Sequence, residues 1–583
     1  MKNLIVKVLG LLMGFSLGLT PWGVAQAQSP DPGATGPLAV TSEEYDFGDL
    51  AFTPVGSPGP VELRAVVHHP SDLSGGPFPL VMFVHGLHAP CYQRQARSTG
   101  SEPAEPHPAA AGWPCSAGFN PIPSYRGYDY VGQAMASNGF IVVSISVDGI
   151  NGLGGDLTLH TREQLMQKHL DILKMFNTTG GEPFGTKFIG KIDFTRLGTA
   201  GHSIGGEAVI SHYTFNLRQP SPYQIGAVLA IAPADDLGLT INNVPFGVLL
   251  SYCDGDRGLI GVHYFDRSRY NVPGDPSPKH VIMVKGGNHN FYNTIWTPSI
   301  FPAESRDDGQ ICDADPRTGR LTPSQQQKVA RAYISAFFRV YLKNELQFLP
   351  LVTGAAPPPA SASFAEVFVS YLPPDDPALR LDVNRLLDAG NLSLNTLGGA
   401  ATQSDLDPYT QCGGAGEPPN CLQVTGSRME PHTGDPGLSQ LQIGWSGATA
   451  VYQNDLPAGS RDVSRFDALQ FRASVNFEDT RNKKRKPQDF SVELMDGTGK
   501  TSAVEVSEVS SALYFPPGGT PRVSPDRLLP SLFLNGVRIP LAAFSGISLH
   551  DVRSIRFKFD QKPHGAIVVS DIAFVADATN HVM

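Results

Sequence analysis

The sequence predicts a doubly wound, mostly parallel α/β sheet followed by an all-β sandwich. Three observations carry that expectation. From Val61 to Leu346, short apolar runs alternate with stretches of helical periodicity, the pattern of parallel strands covered on both faces. One run ends in Gly201-His202-Ser203-Ile204-Gly205-Gly206 and passes straight into a helix-compatible stretch, Glu207 to Phe215. Beyond the Ala- and Pro-rich segment Thr353 to Ser363, only short alternating runs separated by turns remain.

The chain has 583 residues, too many for one ordinary domain, and 41% of them are hydrophobic, enough for real cores. A net charge of −10 gives no electrostatic basis for binding nucleic acid. Lys2 and Lys7 flank a short apolar stretch, Val8 to Leu19, and Ala25-Gln26-Ala27 follows. That order predicts a signal peptide over residues 1–27 and a secreted or periplasmic protein. No later stretch is long and apolar enough to span a bilayer. Six cysteines follow, an even count that in an exported chain predicts disulfides. Local pairing gives Cys91–Cys115, Cys253–Cys312 and Cys412–Cys421, although the sequence allows other connectivities.

Residues 28–60 read as a lead-in, Pro- and Gly-rich from Ser29 to Pro37, and residues 61–350 as the α/β domain. Val61–His68 alternates as a strand. Pro79–Val84 is a buried parallel strand running into His85-Gly86-Leu87-His88. Ala89–Ile122 is a polar, Pro-rich insertion with two cysteines, which predicts an ordered flap. Tyr125–Asn138 and Thr158–Asn177 have helical spacing, and Phe140–Val147 is a strand between them. Leu197–Ala200, Ala227–Ala232, Val244–Tyr252 and His280–Val284 are further strands, and Ser324–Leu346 is a long amphipathic helix. Residues 351–375 read as a linker and residues 376–583 as the sandwich. Its strands are expected at Phe466–Ala473, Phe490–Met495, Ala503–Val506, Gly536–Ile539, Ile555–Phe559 and Gly565–Phe574.

The stretch around Ser203 has the strand–turn–helix order of a nucleophile elbow, in which flanking glycines let strand and helix approach closely. A serine hydroxyl needs a base to take its proton and a carboxylate to orient that base. Elbow proteins supply these in the order serine, acid, histidine. Ser203, Asp256 and His289 satisfy it, each in a turn just after an expected strand and hence at one edge of the sheet. Asp256 is preferred as the acid because it sits deeper in its loop. Asp254 and the Asp235/Asp236 pair are the rivals, and a turn-capping role is their alternative. His202 is expected to face away. The backbone N–H groups of Ile204 and Leu87 are the expected oxyanion donors, with the His85 imidazole packed beneath the loop. Tyr92, Tyr252, Phe291 and Trp296 are candidate pocket walls. Metal-like spacings are absent from this region, and no organic cofactor is expected.

With His85-Gly86, Gly201-His202-Ser203-Ile204-Gly205-Gly206, Cys253-Asp254-Gly255-Asp256 and Gly287-Asn288-His289, residues 61 to about 346 resemble secreted bacterial α/β-hydrolases. The similar group includes polyester hydrolases, cutinase-like esterases and platelet-activating-factor-acetylhydrolase-like enzymes. The resemblance implies hydrolysis of small or polymeric carboxylic esters through an acyl-enzyme. Some polyester hydrolases bridge a cysteine in the position of Cys253 to the histidine loop. Here Cys312 lies well beyond His289, a departure from that pattern.

Asn395-Thr396-Leu397-Gly398-Gly399, Ile539-Pro540-Leu541, Phe544 and Ser570-Asp571-Ile572-Ala573-Phe574 resemble galactose-binding-like β-sandwich modules. That resemblance implies binding to a glycan or cell surface, and in some members a structural calcium. A packing module without a ligand is the competing reading. The basic run Arg481-Asn482-Lys483-Lys484-Arg485-Lys486 reads as a solvated loop, with adsorption to an anionic surface as the sharper idea. Two other functions fit the sequence: a surface- or glycan-binding protein with a degenerate catalytic domain, and a serine peptidase or amidase.

Overall fold

In the computed structural model the described residues are 30–95, 105–109, 112–154, 159–300, 319–387, 391–412, 439–518, 530 and 532–577. The expected signal peptide, Cys312 and Cys421 lie outside them. One large sheet carries the first part of the chain. In chain order its strands are β1 (Val40–Asp46), β2 (Arg64–Pro70), β3 (Phe78–Val84), β4 (Ile141–Ile145) and β5 (Ile192–His202). Then come β6 (Ile225–Ile231), β7 (Phe246–Ser251), β8 (Lys279–Val284) and β9 (Val367–Leu372). The spatial order is β1-β2-β4-β3-β5-β6-β7-β8-β9. From β4 to β8 every pairing is parallel, whereas β1, β2 and β9 pair antiparallel at the two edges.

The alternation of β3 shows why the sheet is covered on both faces. Leu80, Met82 and Val84 pack with Leu165 and Leu170 of α2 (His160–Thr178) and Val209 of α3 (Ile204–Leu217). Val81 and Phe83 point the other way, into Val131 and Met135 of α1 (Asp129–Ser137) and Val329 and Phe337 of α4 (Pro323–Lys343). Each such side chain, once buried, contributes about 1.5–3 kcal/mol of transfer free energy. Helix α4 starts on a capping box between Thr322 and Gln325 and stops at Asn344 in the left-handed region, φ +55°.

Two segments expected outside the sheet belong to it. Strand β1 comes from the expected lead-in and β9 from the expected linker. Both are edge strands, where a mixed polar pattern suffices because, among the described residues, only one side of each is hydrogen-bonded to another strand of the sheet.

The rest is β-rich. Its strands are β10 (Arg380–Asn384), β11 (Ala401–Ser404), β12 (Leu406–Cys412), β13 (Gln440–Trp445), β14 (Val451–Asp455) and β15 (Ala468–Val475). They continue with β16 (Ser491–Asp496), β17 (Thr501–Glu505), β18 (Asn535–Pro540), β19 (Val552–Lys558) and β20 (Gly565–Val575). One antiparallel sheet runs β12-β13-β20-β15-β18, with β10 also on β20; the other runs β11-β14-β19-β16-β17. Trp445, Phe471, Phe490 and Phe557 fill the space between them.

The β-rich part is fastened to the α/β part by buried charge. Arg269 Nη1 lies 2.5 Å from Asp571 Oδ2, and Arg472 Nη1 bridges Asp266 and Asp571 at 2.7 and 3.2 Å. Tyr252 donates to the Pro517 carbonyl at 2.7 Å, close to the loops described next. Among the described residues no helix is long and apolar enough to cross a membrane.

Candidate active site

Strand β5 ends at His202 and α3 begins at Ile204, leaving Ser203 alone in the turn at φ +59°, ψ −128°. A non-glycine residue held there stores about 1–3 kcal/mol of strain, which the surrounding packing must offset. The glycines are required by space. A β-carbon on Gly201 would stand 1.9 Å from the Gly205 carbonyl oxygen, and one on Gly205 would stand 2.5 Å from that of Val84. Ile204 opens α3, so its N–H is among the first-turn donors that no helical carbonyl reaches. Ser203 is itself buried.

His289 follows β8, and its Nδ1 lies 2.7 Å from Asp254 Oδ2. A carboxylate only accepts, so Nδ1 carries the proton and the neutral ring presents a lone pair at Nε2. This corrects the expectation that Asp256 is the partner. Asp256 has a side chain 55% exposed, with an oxygen 3.6 Å from Nε2. Asp254 is buried, and its Oδ1 accepts the N–H groups of Asp256, Arg257 and Gly258 at 2.9, 2.7 and 3.1 Å. The loop therefore wraps around the Asp254 carboxylate and turns Asp256 outward. The other rivals are occupied elsewhere: Asp235 holds Arg267 at 2.5 Å and Asp236 meets Arg257 at 3.2 Å.

The histidine loop is clamped from behind. Gln326 of α4 donates to the Asn288 carbonyl at 2.7 Å and accepts the Asn288 N–H at 2.8 Å. His202, expected to face away from the serine, packs its ring 5.0 Å from that of His289 and holds the His289 carbonyl at 3.0 Å. That carbonyl fixes the proton on His202 Nε2, so Nδ1 accepts from Tyr128, 3.0 Å away. Burial holds the His202 imidazole well below its usual range and keeps it neutral.

The turn after β3 supplies the third wall. A β-carbon on Gly86 would come within 2.6 Å of Ser203 Cβ, so this backbone lies against the serine. His85 is buried; its Nε2 accepts the Val147 N–H at 3.0 Å, and Nδ1 therefore donates to the Gly86 carbonyl at 3.0 Å. Burial lowers its pKa to about 3, so the ring is a neutral packing element. Asn151 Nδ2 reaches the same carbonyl at 3.1 Å. Leu87 carries an exposed side chain beside this turn.

The aromatic candidates separate. Trp296 donates to Ser124 Oγ at 3.0 Å, stacks on His88 at 5.0 Å and packs on His202 at 5.1 Å, so it stands beside the serine turn. Tyr252 is spent on Pro517, and Phe291 is buried with the Arg320 guanidinium over its ring at 5.3 Å. Tyr92 lies on the insertion, whose strands Cys91–Gln95, Glu105–Ala109 and Asn120–Pro121 form a small antiparallel sheet. The Cys91–Cys115 disulfide closes it. Cys253 and Cys412 are also disulfide-bonded, and the partners expected for them lie outside the described residues. Gln326, Asn151 and His202 were not expected to matter, because nothing local in the sequence marks a residue that acts through tertiary hydrogen bonds.

Glu207, in the first turn of α3, accepts the N–H groups of Asp236 and Leu237 at 2.9 and 2.8 Å. Burial, reinforced by the neighbouring Asp236 and Asp235, raises its pKa to about 7 from a usual value near 4.5. The folded state thus keeps a proton that the unfolded chain loses first, and stability declines as pH rises from about 4.5 to about 7. Glu207→Gln keeps the acceptor and cannot ionise. Its thermal midpoint relative to wild type is expected to be several degrees more favourable at pH 8 than at pH 5, measured by calorimetry. An equal difference at both pH values would refute the assignment.

Among the described residues no group of His, Cys, Asp and Glu side chains is arranged to hold a metal ion. Comparison with protein-family models and with curated proteins finds no match to this chain.

Proposed function

We propose that the protein is a serine hydrolase of the α/β-hydrolase type that cleaves carboxylic esters through an acyl-enzyme. The observation that carries the reading is the pairing of two strained, costly features at one sheet edge. Ser203 is held at positive φ where β5 meets α3, and the His289 tautomer is fixed by buried Asp254. The strand order, with parallel β4-β3-β5-β6-β7-β8 behind an antiparallel β2, supports the same reading.

In this mechanism Ser203 Oγ bonds to the ester carbonyl carbon while its proton passes to His289 Nε2. Asp254 stabilises the imidazolium through Nδ1. The Ile204 and Leu87 N–H groups receive the oxyanion, and the alcohol leaves with the proton from Nε2. Water then gives its proton to His289, attacks the acyl carbon and releases the acid, returning the proton to Ser203. We place the protein outside the reducing cytosol on the strength of its disulfides.

Incubation with a fluorophosphonate, followed by peptide mapping, tests the reading. One equivalent is expected on Ser203, and p-nitrophenyl acetate is expected to give a matching burst. Labelling of another serine, or none, would remove Ser203 as the nucleophile.

A further inference from the structure

We propose that Asn151, itself oriented by Arg162, is the positioning residue that sets the oxyanion hole, by pinning the peptide between Gly86 and Leu87. The inference rests on the reading of Ser203 as the nucleophile and adds a residue to that site.

The argument starts from the peptide plane. In a trans peptide the carbonyl and the following N–H point in opposite directions. Whatever holds the Gly86 carbonyl therefore aims the Leu87 N–H. Gly86 has no β-carbon and is free to rotate, and it cannot gain one because Ser203 Cβ and the His202 carbonyl occupy the space, 2.6 and 2.8 Å from the position a β-carbon would take. The glycine that permits close approach to the serine thus also permits the peptide to flip. A flipped peptide would turn the carbonyl toward the reacting oxygen and remove one donor.

Two donors oppose the flip, His85 Nδ1 at 3.0 Å and Asn151 Nδ2 at 3.1 Å, both on the Gly86 carbonyl. His85 is the residue next to Gly86 in sequence, with its ring held at Nε2 by the Val147 N–H. Asn151 is anchored elsewhere, in the short helix Asp148–Gly152 that follows β4. Its amide has a defined sense: Arg162 Nη2 of α2 donates to Oδ1, which leaves Nδ2 as the donor to Gly86. Arg162 is fully buried, and Asn151 nearly so. A buried guanidinium is costly to place, so one that donates to an amide aimed at the turn beside the serine points to a positioning role.

The test compares wild type, Asn151→Ala and Asn151→Asp with p-nitrophenyl acetate and with a boronic acid that forms a tetrahedral adduct on the serine. Asn151→Asp keeps the volume and the Arg162 contact, so it preserves the fold while replacing a donor with an acceptor facing the Gly86 carbonyl. Both variants are expected to lose about 30- to 300-fold in kcat, in the range of one oxyanion donor, with KM within about threefold. Boronate affinity is expected to fall in parallel with kcat/KM, and the Asn151→Asp thermal midpoint to stay within a few degrees of wild type. A kcat for Asn151→Asp within threefold of wild type overturns the proposal. So does a loss in Asn151→Ala that tracks its thermal midpoint while Asn151→Asp stays active. Absence of a Ser203 adduct in wild type would instead bring down the nucleophile assignment on which the proposal stands.

Discussion

Ser203→Ala is expected to lower kcat on p-nitrophenyl acetate by roughly 10⁶-fold and to abolish the burst, leaving the circular dichroism spectrum and the quaternary state unchanged. The size of the effect follows from the mechanism: without Oγ there is no acyl-enzyme, and water must attack from a site arranged for a side chain. Alanine has the same backbone strain as serine, so stability should barely move. Glycine is the informative contrast. At φ +59° it carries no β-carbon penalty, and Ser203→Gly is expected to be as inactive as alanine but more stable by about 1 kcal/mol or more. A stabilised, inactive glycine variant would show that the chain bears the strain at Ser203 for chemistry. An active alanine variant would show that the serine is a structural turn residue, and the mechanism would fail with it.

The contrast between what the sequence exposes and what it hides is physical. The central parallel strands and their helices are legible because burial on both faces leaves unbroken apolar runs, as in Phe78–Val84 and Phe246–Ser251. Strand β1 is not, since Val40–Asp46 is largely solvated and its residues read as a loop. The elbow is legible because close packing forces glycine at Gly201 and Gly205. Asn151 is invisible: an asparagine in Asp148-Gly149-Ile150-Asn151-Gly152 looks like any turn residue, and its partners Arg162 and Gly86 are distant in sequence. The choice between Asp254 and Asp256 is the clearest case. Both follow β7 within one loop; depth in the loop favours Asp256, whereas the structure sets Asp254 against His289 Nδ1. The deciding feature is the set of backbone N–H groups that close on Asp254 Oδ1, which a residue pattern does not display.

That choice yields the second large effect. Asp254→Asn is expected to lower kcat by about 10⁴-fold with KM little changed, whereas Asp256→Asn should stay within about threefold of wild type. In the asparagine variant the carbonyl oxygen is the natural acceptor for the N–H groups of Asp256, Arg257 and Gly258, which places the amide NH2 against His289 Nδ1. Two donors cannot share that contact, so the ring takes the other tautomer, with its proton on Nε2. A protonated Nε2 cannot accept the Ser203 proton, and the imidazolium also loses its counter-charge. Asp256, more than half exposed and 3.6 Å from Nε2, contributes at most a screened attraction. Steady-state kinetics on the two variants, with fluorophosphonate labelling rates as a check on Ser203 reactivity, separate the carboxylates. Large loss in Asp256→Asn with Asp254→Asn near wild type would mean that the buried pair is structural and that the exposed carboxylate partners His289 during turnover.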